Sequence, residues 1–372
     1  MDRRSFVHRT AGGLAALGAL RALSACRPDA PSPSEDAEFV ALRERYFLAT
    51  LELNPVTSTY LGGDGYSPTL AAVNGKLRDF SPAALGGEVA FLQSVLTALA
   101  AMPAGTLSPQ ARIDHAVVTA QAGYMVHQLA ELRYHERCVD TYVAEPFRGI
   151  DWQIQGMTDA GNGFLGTEAE WALVVARAGA VPAYVETAKA NLLAGKAAGN
   201  IPDRRLVAHD GIAGARANVE YLTTTLPGLA THYIGDRPFG PALIDQLKTA
   251  GAAAGAAYAA MGEFLGATYD LQETTDRYAA GEVEYAWRVT NCLRDPRTPA
   301  ELFEYGASQV AEYEAKIFRV AQEVSTQASL GLAFGTDAEQ RASVRAVMDH
   351  LATDSPKDDT ELFDWYREAG TR

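Results

Sequence analysis

What this 372-residue chain lacks is catalytic signatures. Its seven histidines are His8, His115, His127, His135, His209, His232 and His350, and none stands in an HExxH or longer HE spacing. His135-Glu136 begins such a motif but continues Arg137-Cys138-Val139, without a second His. There is no GxSxG elbow, no P-loop and no dinucleotide glycine fingerprint, so three common routes to catalysis have no sequence support. Cysteine is scarce: Cys26, Cys138 and Cys292, with no CxxC and no Cys/His cluster, which argues against a structural zinc site. Cys138 and Cys292 read as two separate thiols, although an oxidising compartment permits a disulfide. Basic charge is in deficit, 32 Lys and Arg against 46 Asp and Glu, for a formal net charge of −14. That balance argues against nucleic acid and against anionic lipid surfaces as partners. Alternating β-branched runs of strand length and fixed-period repeats are both missing, which disfavours sheet architectures and regular solenoids.

What is present begins with an export address. Arg3-Arg4-Ser5-Phe6-Val7 has the twin-arginine pattern, followed by an Ala/Leu/Gly run from Ala11 to Ala25 that Arg21 interrupts. That run falls short of the ~20 apolar residues needed to span a bilayer and reads as the core of a signal. Leu23-Ser24-Ala25-Cys26 is similar to a lipobox, in which the Cys is acylated and becomes the mature N-terminus. Two acyl chains anchor stably, at about 0.8 kcal/mol per buried CH₂. The expectation is a lipoprotein of the cell envelope held to the membrane through Cys26. With Arg27 rather than Asp after the Cys, a Gram-negative host would carry it on the periplasmic side of the outer membrane. Removing the four Arg and one Asp of residues 1–26 leaves 28 basic and 45 acidic groups, a net of −17. Residues 27–37, with Pro28, Pro31 and Pro33, read as a stiff polar tether.

Residues 38–372 read as all-α, a layered bundle of about ten to twelve helices. Phe39, Leu42, Tyr46, Ala49 and Leu53 form a stripe that Asn54-Pro55 ends. Ser81-Pro82 and Ser108-Pro109 are helix starts, the second for a helix reaching about Glu136. Residues 139–166, with Pro146 and five Gly, read as irregular. Thr167-Glu168-Ala169-Glu170 is a capping box, and Pro182 reads as the start of a further helix. Helices then cover about 203–226, 241–268, 280–293, 299–325, 337–353 and 358–369. The clearest carries Leu302, Gly306, Val310, Tyr313, Ile317, Val320 and Val324 on one stripe. The Gly-rich stretch 251–256 falls inside a helix and reads as close helix packing.

One polar constellation stands out. His127, Glu131 and His135 sit at i, i+4 and i+8 and extend the stripe Ile113, Val117, Ala120, Tyr124. Neighbours in that series can share a metal ion, but eight residues at 1.5 Å each put the two His ~12 Å apart. A partly solvated helix face is the simpler account. Asp151, Trp152 and Gln153 are candidate pocket residues, more simply explained as a packed loop.

Several segments together carry a family resemblance. They are Leu53-Asn54-Pro55-Val56-Thr57-Ser58-Thr59-Tyr60-Leu61-Gly62, the Ser81-Pro82 start, Ala176-Arg177 to Pro182, Ala190-Asn191-Leu192, Gly281-Glu282-x-x-Tyr285 and Thr298-Pro299-x-Glu301-Leu302 with Gly306. In this order the chain resembles the bacterial family filed as domain of unknown function 885. The resemblance implies a zincin-type zinc metallopeptidase whose HE-x-x-x-H-like helix lies in a C-terminal half. No position here matches that helix, so the resemblance transfers no catalytic or metal residue, and zinc is expected only if that half is supplied. The expectation is an N-terminal portion, inactive alone, that forms one wall of a substrate cleft if the other half is supplied; a broken gene with that half encoded just downstream is a further possibility. The alternative is a stand-alone, non-catalytic envelope lipoprotein that binds a ligand or partner.

Overall fold

Serine and threonine caps decide where most helices begin. In the computed structural model, which describes residues 33–371, α3 (Pro82–Ala101) and α4 (Pro109–Val126) start after Ser81 and Ser108. Each serine side chain accepts the backbone N–H three residues on, and proline occupies the first turn, where its missing N–H costs nothing. Reciprocal capping boxes at Thr167/Glu170, Thr298/Glu301 and Thr336/Glu339 start α6 (Glu168–Ala197), α10 (Pro299–Gln327) and α11 (Asp337–Ala352). Arg3, Arg4 and Cys26 lie outside the described residues. α1 (Pro33–Leu53) begins inside the segment read as a tether, and Asp36 accepts the Ser108 amide at 3.0 Å. α2 (Pro55–Leu61) follows, ending at Gly62 in a left-handed cap.

Three prolines are absorbed within helices, two of them, Pro146 and Pro182, against expectation. Residues 139–155 form α5 (Val139–Gln155), not an irregular loop, with Pro146 inside. A proline at 146 deprives the Tyr142 carbonyl of its helical donor. The Tyr258 hydroxyl substitutes, donating to the Tyr142 and Val143 carbonyls at 3.2 Å, and Asn218 Nδ2 donates to Val143 at 2.6 Å. Likewise α6 runs unbroken through Pro182. The third is Pro227, in α7 (residues 204–234), an α-helical segment carrying π turns at Val207–Ala213 and Tyr221–Thr225. The second π turn lies just before Pro227, where a widened turn accommodates the missing N–H. Between α5 and α6 sits a short antiparallel hairpin, β1 (Asp159–Gly161) and β2 (Phe164–Leu165), joined by Asn162-Gly163 at φ 54° and 83°. That pair of positive φ values is what a two-residue hairpin turn requires.

The described residues divide into two compact units, 33–281 and 282–371. In the first, α6 is the central helix: Trp171, Val174, Ala178, Val181, Val185 and Leu192 are all buried, and α8 (Gly240–Thr268) packs along it. Close packing does explain the 251–256 stretch. A Cβ on Gly251 would come within 2.3 Å of the Leu222 carbonyl, and one on Gly255 within 2.7 Å of Thr223 Cγ2, both on α7. α3 is long and apolar enough to cross a membrane by length and composition, yet Leu85, Leu92, Val95 and Leu99 are buried in the core.

The second unit holds α9 (Glu282–Asn291), α10, α11 and α12 (Asp359–Thr371). α10 and α11 pack together, with Ala321 and Val347 buried and Ser343 Oγ donating to the Ala333 carbonyl at 2.6 Å. The apolar stripe of α10 points elsewhere: Val310, Tyr313, Ile317 and Val320 are 60, 59, 50 and 49% exposed.

Candidate functional site

The 127–135 constellation does not assemble. Helix α4 gives way to a π turn at His127–Glu131, and Arg133 then adopts φ 45°, ψ 51°, a left-handed residue that breaks the helical register before His135. His127 Nδ1 does meet Glu131 Oε2 at 2.5 Å, with Glu131 well exposed. His135 is turned away into a separate 3-10 turn, half-buried, with its Nδ1 unpartnered among the described residues. Burial pushes its pKa down. Among the described residues no three His, Cys, Asp or Glu side chains are grouped so as to hold a metal, so the residues present do not fit zinc. Cys138 is buried, Cys292 is partly so, and both are free thiols. Burial raises the Cys138 thiol pKa, which suits an inert core residue rather than a nucleophile.

The structure instead forms a trench of about 750 Å³ in the first unit, and of the candidate residues Asp151, Trp152 and Gln153 only Trp152 lines it. One wall is α5, through Asp140, Thr141, Ala144, Glu145, Arg148 and Trp152, a face repeating every three to four residues. Asp151 and Gln153 point elsewhere: Asp151 pairs with Gln155, and Gln153 is buried against Arg177 and Glu170. The opposite wall is α7, through His209, Asp210, Ala213, Gly214, Ala217 and Tyr221. The two walls run parallel. Gly211 packs on Val139, Asn218 reaches the Val143 carbonyl, and the Phe147 and Tyr221 rings meet edge-on at 4.7 Å. Small residues in mid-wall leave the space open. His209, Asp210, Ala213 and Tyr221 all sit on the π turns of α7, and π turns recur at functional sites.

The floor is charged. Arg78 donates to Asn54 Oδ1 and, at 2.8 Å, to Glu88 Oε2, and its guanidinium lies over the Phe80 ring at 5.0 Å. Burial raises the Glu88 pKa against the opposing pull of Arg78. Glu145 accepts the Tyr184 hydroxyl at 3.0 Å, and burial raises its pKa too, Tyr184 and Arg78 opposing. A half-buried carboxyl with a raised pKa in a cleft is a candidate proton carrier. Arg78 Nε and the Tyr221 hydroxyl are buried without a partner among the described residues.

Beneath the floor, Arg177 holds the surrounding elements in register. It is fully buried and donates to the carbonyls of Lys76, Gly149 and Val73, to Gln153 Oε1 and to Thr59 Oγ1. Burial lowers even this guanidinium to about 10, with Glu145 opposing.

No curated protein matches the chain. A solved structure from Shewanella oneidensis, described as a candidate lipoprotein of unknown function, has a similar fold with a TM-score of 0.61 at 16% identity. The likeness covers 89% of this chain and 56% of that one, so this chain spans little more than half the length of the Shewanella protein. The family pattern described as a bacterial protein of unknown function, DUF885, matches residues 55–371, and the chain belongs to that family.

Proposed function

We propose that this chain supplies the substrate-cleft portion of an exported, lipid-anchored, zincin-type metallopeptidase and does not cleave peptides by itself. The carrying observation is the parallel-walled trench, open and peptide-sized, in a protein whose described donor groups do not fit zinc. The metallopeptidase assignment rests on the family resemblance. The envelope placement rests on Arg3, Arg4 and Cys26, and agrees with the Shewanella protein being described as a candidate lipoprotein. The exposed α10 stripe, Val310 to Val320, is a surface suited to further polypeptide. In this reading the zinc ligands come from a separate C-terminal portion. Metal analysis and peptide hydrolysis on the purified chain are expected to give no stoichiometric zinc and no turnover. Tight stoichiometric zinc with turnover would overturn the reading. An HE-x-x-x-H-bearing frame directly downstream, restoring both on co-expression, would support it.

A second reading has its own observation. The trench is built entirely from residues of one unit, so a stand-alone, non-catalytic binding lipoprotein needs no second polypeptide. A monodisperse chain that binds peptide without any downstream partner gene favours that reading.

A further inference from the structure

The trench has two chemically different positions along one wall, and we infer that they read the two ends of a short peptide. Asp140 lies at the start of α5, and Asp210 lies across from it on α7. Neither carboxylate has a Lys or Arg partner among the described residues; Asp140 accepts only the Tyr134 hydroxyl at 3.3 Å, and Asp210 faces His209. Arg148 stands eight residues along α5 from Asp140, exposed and lining the trench. Eight helical residues span about 12 Å. An extended peptide advances about 3.4 Å per residue, so three or four residues bridge the gap. Phe147 and Tyr221, whose rings meet edge-on, line the trench at the level of Arg148, and Trp152 lines it one turn further along α5; these aromatics meet the last side chain.

The helix termini oppose this arrangement and are outweighed. Both walls begin at the acidic end, and each helix start carries about half a positive charge. Two full carboxylate charges exceed that sum, and Asp210 lies beyond the first turn of α7, where the dipole effect has faded. The ammonium terminus therefore sits at Asp140 and Asp210, and the carboxylate terminus at Arg148.

This inference rests on the reading of the trench as a peptide channel, and its test is binding, not cleavage. Calorimetric titration of the purified chain uses Gly-Ala-Ala-Phe, its N-acetyl form and its C-terminal amide. Blocking either end is expected to weaken binding about tenfold, a loss of about 1.4 kcal/mol. Asp140→Asn, which keeps the Tyr134 contact, reduces the penalty of acetylation only, and adding Asp210→Asn removes it; Arg148→Gln removes the penalty of amidation only. Matching circular dichroism and melting curves show that the variants fold. Equal affinity for all three peptides overturns the proposal, as does no saturable binding at about millimolar peptide. A chain that distinguishes the ends but shows no hydrolysis with its downstream portion refutes the peptidase reading alone. Hydrolysis without end discrimination refutes this inference alone.

Discussion

At the scale of single residues, Arg177 and Glu145 carry opposite lessons about burial. Arg177 satisfies three backbone carbonyls and two side-chain oxygens, so truncating it orphans several buried acceptors at once. Each orphan costs about 1–3 kcal/mol, non-additively. Arg177→Met is therefore expected to cost at least about 3 kcal/mol in urea unfolding; a loss under about 1 kcal/mol would show that the network is dispensable. Glu145 works the other way. Its folded-state pKa is raised above the ordinary 4.5. The proton is therefore held more tightly in the fold than in the unfolded chain. The resulting stabilisation is complete below 4.5 and is lost as pH rises through the folded-state value. Glu145→Gln, which keeps an acceptor for Tyr184, should melt above the parent at about pH 8 and lose that margin by about pH 4. Thermal melts across that range decide it; a margin independent of pH would show that Glu145 titrates normally. Neither residue was legible as special in the sequence. Arg177 stood only within a family segment, and Glu145 stood in a stretch read as irregular. Their roles depend on partners 24 to 118 positions away for Arg177 and 39 away for Glu145.

At the scale of elements, local rules worked where the cap decides and failed where the neighbour does. Ser81, Ser108, Thr167 and Thr298 start helices as their side-chain chemistry dictates. Pro146 and Pro182 misled, because a helix tolerates an internal proline when another element supplies the missing donor or the ladder bends. For Pro146 that donor is Tyr258, 112 residues downstream, which no local window contains. The 127–135 register failed for a related reason. A π turn and a left-handed Arg133 are backbone events that periodicity assumes away. The α10 stripe was legible as apolar, but its exposure was not. Because Val310 and Ile317 are at least half exposed, Val310→Lys and Ile317→Glu are expected to change stability by under about 0.5 kcal/mol. They should also reduce binding of a hydrophobic dye. A large destabilisation in either variant would mean that the stripe is covered in solution.

At the scale of the whole molecule, two units share one chain, and the trench belongs to the first. A fragment ending at Gly281 is accordingly expected to unfold in one cooperative transition and to retain peptide binding, measured by calorimetry against the full chain. A fragment without a transition would show that the second unit is needed for folding. The acidic balance and the all-α class were visible from composition and periodicity. The trench was not, because its residues come from positions 54–80, 140–152 and 209–221. The two walls also run in the same sense, which has a consequence for where along a ligand the cleft can act. A channel flanked by co-directional helices has no two-fold symmetry, so its two ends differ, and under the inference above a ligand entering backwards meets Asp140 and Arg148 at the wrong ends. A reaction centre placed beside such a channel acts at a set distance from one terminus. Its products would then form a ladder of uniform steps, not a scatter of internal cuts.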